Sequence, residues 1–177
     1  SPGHKPNIPT FSKMYDGKTG AVISAVDVIQ GIGMCTGMEV IKVPGATGFI
    51  DTNYAGKASA AIEAIRRHDF VYLHVEAIDE CSHMGDLKLK MQAIEDFDAK
   101  IMKPVYETLK DQEIRFALLP DHPVPIKLRA HTRTPVPFAI CGPGIEADAV
   151  EIYNEASVKA GRFGFLKDDQ LMRLLLD

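Results

Sequence analysis

The sequence has few cysteines, and none of them forms a metal-binding or redox pair. Its three cysteines, Cys35, Cys81 and Cys141, are far apart, odd in number and never arranged as CxxC. This pattern argues against a disulfide framework and against a zinc site built from thiolates. It fits a reducing compartment, so we expect a cytoplasmic protein.

Long apolar runs and an excess of positive charge are also absent. No stretch of about 18 apolar residues occurs, so the sequence predicts no transmembrane helix. The formal net charge of −4 does not favour nucleic acid or an anionic membrane as a partner. The 177 residues contain no internal repeat and suffice for one domain with a sizeable core.

The beginning of the sequence resembles a connection more than the start of a fold. The stretch SPGHKPNIPTF is rich in Pro and Gly and lacks the charged and apolar regions of a signal peptide. We expect residues 1–20 to be a connecting segment from a missing upstream region. Residues 21–177 would then be the C-terminal part of a longer domain.

The rest of the sequence alternates short apolar runs with helical patterns. Buried strands are predicted at residues 21–26, 39–43, 69–77, 114–120 and 136–142. Helices are predicted at residues 27–38, 54–67, 87–110 and 168–177; in the third, Leu87, Met91 and Ile94 begin an apolar stripe and Pro104 interrupts it. This alternation predicts an α/β fold with a mostly parallel sheet flanked by helices.

Acids and histidines follow the predicted strands. Asp79 and His83 come after the third strand, Asp121 and His122 after the fourth, and His131 precedes the fifth. In parallel α/β sheets, ligands bind beyond the carboxyl ends of the strands. Carboxylate oxygen with imidazole nitrogen, and no thiolate, suits Mn, Zn or Fe in a catalytic site. The alternative is that the Asp–His pairs are salt bridges in a metal-free structural domain.

Five stretches carry a resemblance to a known family. They are GATGFIDTNYAGK, FVYLHVEAIDECSHMGD, KMQAIEDFD, LLPDHPVPI and AHTRTPVPFAI. In this order they resemble the archaeal-type cofactor-independent phosphoglycerate mutases of the alkaline phosphatase superfamily. The likeness runs from about Phe11 to the C-terminus and implies an alkaline-phosphatase-like fold.

The resemblance implies an activity and a metal site. Members interconvert 3-phosphoglycerate and 2-phosphoglycerate. A serine takes the phosphoryl group and returns it to the other hydroxyl of the bound glycerate, and two divalent metals flank this reaction. By resemblance, Asp79, His83 and His131 would hold one metal, and Asp121 and His122 would help to hold the second. The metal would be Mn2+, with Zn2+ or Mg2+ as alternatives. Two such ions clamp phosphoryl oxygens and lower the pKa of the attacking hydroxyl.

Two parts of the family pattern do not occur in this sequence. The N-terminal strand ending in Gly-Asp-Gly is missing, and no serine stands in the context of the family's nucleophile. We therefore expect a fragment that needs the N-terminal part of the same protein and is inactive alone. A phosphatase or another phosphotransferase of the superfamily, with a homoserine kinase-like or phosphonopyruvate decarboxylase-like annotation, is the alternative enzyme.

Basic side chains near the candidate ligands could bind the substrate. Lys57, Arg129 and Arg133 are the candidates, and Lys127 is a further basic residue in the same loop as the two arginines. They would face the phosphate and carboxylate of phosphoglycerate. The alternative for each is a solvated charge on a loop.

Overall fold

The computed structural model describes residues 6–177, which fall into two units. One unit runs to Thr108 and the other begins at Leu109. His4 and the start of the predicted connecting segment lie outside the described residues. Within the remainder of that segment, a short helix α1 (Phe11–Met14) buries Phe11, whose ring stacks on Phe70 at 5.2 Å. The domain boundary at residue 20 stays a prediction.

A parallel sheet forms the centre of the first unit. Its strands are β1 (Gly20–Ile23), β2 (Glu39–Val40) and β3 (Phe70–Leu73), in the order β2-β1-β3. Both neighbours of β1 pair with it in parallel. The central strand is fully buried, as its apolar sequence predicts. The predicted α/β class, with a parallel sheet flanked by helices, is confirmed for this unit.

Helices flank this sheet; the first two of them connect its strands, and the other three follow β3. They are α2 (Asp27–Cys35), α3 (Tyr54–Ala64), α4 (Ala77–Met84), α5 (Leu87–Phe97) and α6 (Lys103–Leu109). Asn53 caps α3, because its side-chain oxygen accepts the N–H of Gly56 at 2.9 Å. Asp27 lies in the first turn of α2, where a carboxylate interacts favourably with the helix dipole.

The predicted long helix is interrupted. A π-helical turn, Asp98–Met102, separates α5 from α6, which starts just before Pro104. Proline lacks the N–H that a continuous α-helix requires, so the break is expected there. The predicted apolar stripe is wrong for α5: Leu87, Met91 and Ile94 are 59%, 55% and 46% exposed. The small Ala93 is the buried residue of α5 instead, packed in one cluster with residues of α4.

The second unit has its own two-stranded sheet. Strands β4 (Phe116–Leu118) and β5 (Ala139–Cys141) pair antiparallel. The sequence placed strands at both positions, but the expected parallel pairing does not extend to them. A 3-10 turn (Ser157–Ala160) and helix α7 (Gln170–Leu176) follow. Among residues 6–177, none of the helices combines the length and apolar character needed to cross a bilayer.

Two glycines of α2 give a matched prediction about packing. A Cβ at Gly33 would lie 2.9 Å from Cγ2 of Val22 and 3.3 Å from Cγ2 of Val40. We expect Gly33→Ala to lower the free energy of unfolding by about 1–3 kcal/mol because the helix must move off the sheet. At Gly31 a Cβ would have no neighbour within 4 Å among the described residues. Gly31→Ala should therefore raise the free energy of unfolding by about 0.5–1 kcal/mol, because glycine loses more conformational freedom than alanine in a helix. Urea unfolding of both variants checks this, and equal effects would contradict it.

Candidate metal centre

Asp79 and His83 lie on one helix and face each other. Both belong to α4, four residues apart, which places them on the same helix face. Nε2 of His83 is 3.3 Å from Oδ2 of Asp79. The sequence interpretation placed this pair directly after a strand and did not predict the helix. Left-handed Gly85 (φ 73°) at its end and Asp86, which caps α5, are the sequence signals that mark its boundary.

The start of α4 concentrates carboxylates. Single oxygens of Glu76, Asp79 and Glu80 lie within 4.8 Å of one another. Like charges at this distance repel, and a divalent cation would relieve the repulsion. A set of carboxylate oxygens beside an imidazole nitrogen fits Mn2+, Zn2+ or Mg2+ in ligand chemistry. The residues on α4 therefore fit the ion that the sequence predicts.

The second unit brings together its own acid and histidines. Nε2 of His122 is 3.4 Å from Oδ2 of Asp121, and the backbone N–H of His122 donates to Oδ1 of the same acid at 3.0 Å. The rings of His122 and His131 stack with centroids 3.8 Å apart. The backbone N–H of Thr132 donates to the carbonyl of Pro123 at 3.0 Å, which ties the two loops together. All three predicted donors of this unit are thus adjacent.

The predicted substrate-binding residues divide into two kinds. Arg129 and Arg133 are exposed. This exposure is compatible with contact to a substrate and equally with a solvated charge on a loop. Lys57 is completely buried on α3, where the solvated-loop interpretation is wrong. Its Nζ donates to the carbonyl oxygen of His74 at 3.4 Å. Burial lowers the pKa of Lys57, and the nearby Glu76 carboxylate opposes that shift.

A short polar chain that the sequence analysis missed lies at the end of the parallel sheet. Ser24 and His74 directly follow β1 and β3, whose last residues are register partners. Oγ of Ser24 is 3.1 Å from Nδ1 of His74, and Nε2 of that ring is 3.4 Å from Oε2 of Glu76. The strand predicted at residues 69–77 includes His74, but β3 ends one residue before it. Polar residues placed directly after two adjacent parallel strands are the signal that could have revealed the contact.

The fold and these groups define a class: an α/β protein in which carboxylates and imidazoles cluster as they do around divalent cations. The family model for the metalloenzyme superfamily matches residues 1–177. The chain belongs to that superfamily.

Individual relatives are more specific. The chain is 50% identical, over 177 residues, to the 2,3-bisphosphoglycerate-independent phosphoglycerate mutase of Methanosarcina acetivorans, covering 98% of this chain and 44% of the relative. It is 49% identical, over 176 residues, to the enzyme of that name from Methanothrix thermoacetophila, covering 98% and 45%. The solved structure of the PH0037 protein from Pyrococcus horikoshii matches with a TM-score of 0.93 and 30% identity, over 99% of this chain and 53% of that chain.

These comparisons confirm the predicted resemblance to the mutases. They also show that the chain spans less than half the length of the curated relatives it matches.

Proposed function

We propose that this chain is the metal-binding part of a mutase that interconverts 3-phosphoglycerate and 2-phosphoglycerate. The proposal is supported by the 50% identity to a protein of that name. The structural observation that supports metal-dependent chemistry is the Asp79–His83 pair on α4, whose Oδ2 and Nε2 atoms lie 3.3 Å apart. We place the reaction in glycolysis and gluconeogenesis and the protein in the cytoplasm.

The candidate ligands have a defined task in this proposal. Asp79, His83 and His131 would hold one divalent ion, and Asp121 and His122 would help to hold a second. We propose Mn2+ at both positions. When bound, such ions neutralise the charge spread over a transferring phosphoryl group and favour an ionised hydroxyl nucleophile. The α4 pair contributes orientation, since helical spacing fixes the carboxylate and the imidazole on one face.

Recognition of the substrate falls to positive side chains. We propose that Lys57, Arg129 and Arg133 serve the phosphate and carboxylate of phosphoglycerate. An arginine can donate two parallel hydrogen bonds to either group, whereas a buried lysine supplies a concentrated point charge. The nucleophilic serine and the remaining ligands would come from the N-terminal part of the longer protein, so the chain alone is expected not to turn over substrate.

The test uses the longer protein that contains this chain. Its activity is measured with 3-phosphoglycerate and with p-nitrophenyl phosphate, before and after a chelator and again after addition of Mn2+. We expect mutase activity that the chelator abolishes and Mn2+ restores, with slow hydrolysis of the generic ester. Faster hydrolysis of the ester without mutase activity would instead identify a phosphatase. Mutase activity unaffected by thorough chelation would contradict the metal-dependent mechanism.

A further inference from the structure

Helix α5 carries an apolar face that the described part of the chain leaves uncovered. Leu87, Met91 and Ile94 are spaced four and three residues apart, which places them on one side of the helix. Each of them is at least 46% exposed. The helix packs on the rest of the unit through another side, where Ala93 is fully buried. Contiguous apolar side chains exposed in this way mark surfaces that bind another molecule.

Two charged side chains flank this face on the same side. Lys88 and Glu95 line one shallow groove together with Leu87 and Met91. Both charges are exposed, and neither forms an ion pair within residues 6–177. Lys88 lies in the first turn of α5, where the helix dipole disfavours a positive charge. The stability of α5 itself therefore does not explain the position of this lysine.

The order of these residues matches an antiparallel pairing of α5 with itself. Met91 lies at the centre. Leu87 and Ile94 stand four residues before it and three after it, while Lys88 and Glu95 stand three before it and four after it. A two-fold axis beside Met91 brings Leu87 of one copy to Ile94 of the other. The same axis brings Lys88 to Glu95, whereas parallel pairing would place like charges opposite each other.

We propose that the exposed face of α5 binds a second copy of this chain, with the two helices antiparallel. Each copy covers the apolar stripe of the other, and two Lys88–Glu95 ion pairs form, one on each side of the axis. A pair of three-turn helices is smaller than a standard protein interface, so we expect a weak dimer with a Kd of about 10–100 μM. At lower concentrations the chain is monomeric. The proposal does not depend on the proposed function.

The test reverses the two charges separately and together in this chain. Lys88→Glu and Glu95→Lys should each raise the dimer Kd at least about tenfold, because each replaces two attractive pairs by two repulsive ones. The double variant exchanges the charges and should restore the Kd to within about threefold of the parent. Sedimentation equilibrium measures all four proteins. A parent that stays monomeric at about 1 mM would overturn the proposal, and so would a double variant as weak as the single ones.

The variants are chosen so that a lost dimer does not reflect a lost fold. Lys88→Glu places an acid in the first turn of α5, which favours the helix itself. Met91→Lys puts a charge opposite its own copy beside the axis and should abolish the dimer. Glu63→Lys reverses an exposed charge on α3 and should leave the Kd unchanged. A dimer that survives Met91→Lys would place the interface elsewhere and overturn the proposal.

The longer protein distinguishes a second copy from the other candidate occupant, its own upstream part. If a second copy covers α5, the longer protein should form a dimer that Lys88→Glu weakens and the double variant restores. An oligomeric state indifferent to Lys88→Glu would show that another part of the protein covers this face, and the proposal would fail. A dimer without mutase activity would leave the interface standing and contradict the proposed function alone.

Discussion

Replacing His83 with Ala should reduce the affinity of this chain for Mn2+ by more than about 100-fold. Loss of a residue that only supports a metal ligand already costs about 10–100-fold, and loss of a direct ligand should cost more. Alanine at this position also leaves the Asp79 carboxylate without the imidazole that lies 3.3 Å away. Calorimetric titration of the parent and the variant with Mn2+ measures the effect. His131→Ala should give a comparable loss if that residue completes the same site.

The control for this experiment is another histidine of the first unit. His68 pairs with Glu39 at 2.6 Å and belongs to none of the proposed sites. His68→Ala should therefore retain the Mn2+ affinity of the parent. A folded parent that shows no saturable Mn2+ binding would contradict a preformed site in this chain. Equal affinity in the parent and in His83→Ala would remove α4 from the metal centre.

Much of the parallel sheet could be predicted because its strands are short apolar runs between turn residues. Residues 21–26 and 69–77 contain β1 and β3, although the observed strands are shorter. Each strand ends just before a polar residue, Ser24 in one case and His74 in the other, and these two side chains contact each other. Apolar composition predicts the existence of a buried strand, while the polar contacts that set its end depend on the neighbouring strand.

Helix α4 was harder to predict because it is eight residues long and carries few apolar side chains. Its apolar face consists of Ala77, Cys81 and the partly buried Ile78. Short helices are stabilised by packing more than by their own sequence, and that packing involves Ala93 of another helix. The same contact explains the error on α5, where the small alanine and not the larger Leu87 faces the core.

The position of Lys57 could have been predicted from helical spacing. The buried residues of α3 are Tyr54, Lys57, Ala58, Ala61 and Ala64, which form one stripe. Lys57 is three residues after Tyr54 and four before Ala61, so it belongs to that stripe in spite of its charge. Charge alone suggested a surface position. A lysine in the middle of an apolar stripe is a better signal of function than a lysine on a loop, because its burial is costly.

That cost predicts a stabilising substitution. Lys57→Met replaces a buried ammonium by an apolar side chain of similar volume, which removes the cost of burying a charged group with a single long hydrogen bond. We expect the free energy of unfolding at pH 7 to rise by about 1–3 kcal/mol. Because burial lowers the pKa of Lys57 in the folded chain, the unfolded chain binds more protons between that lowered value and the ordinary 10.5. The parent therefore gains stability as the pH rises through this window, and the advantage of Lys57→Met should shrink accordingly.

The matched control is Lys88→Met, which removes an exposed lysine of α5 and should change stability by less than about 0.5 kcal/mol. In the longer protein, Lys57→Met should lose most of the mutase activity while Lys88→Met keeps it. A more stable but inactive Lys57→Met would show that the lysine is retained for its charge at the expense of stability, as functional groups often are. A marked loss of stability would instead show that the ammonium is well compensated in the folded chain. Lys57 would then be a structural residue, and substrate recognition would fall to Arg129 and Arg133.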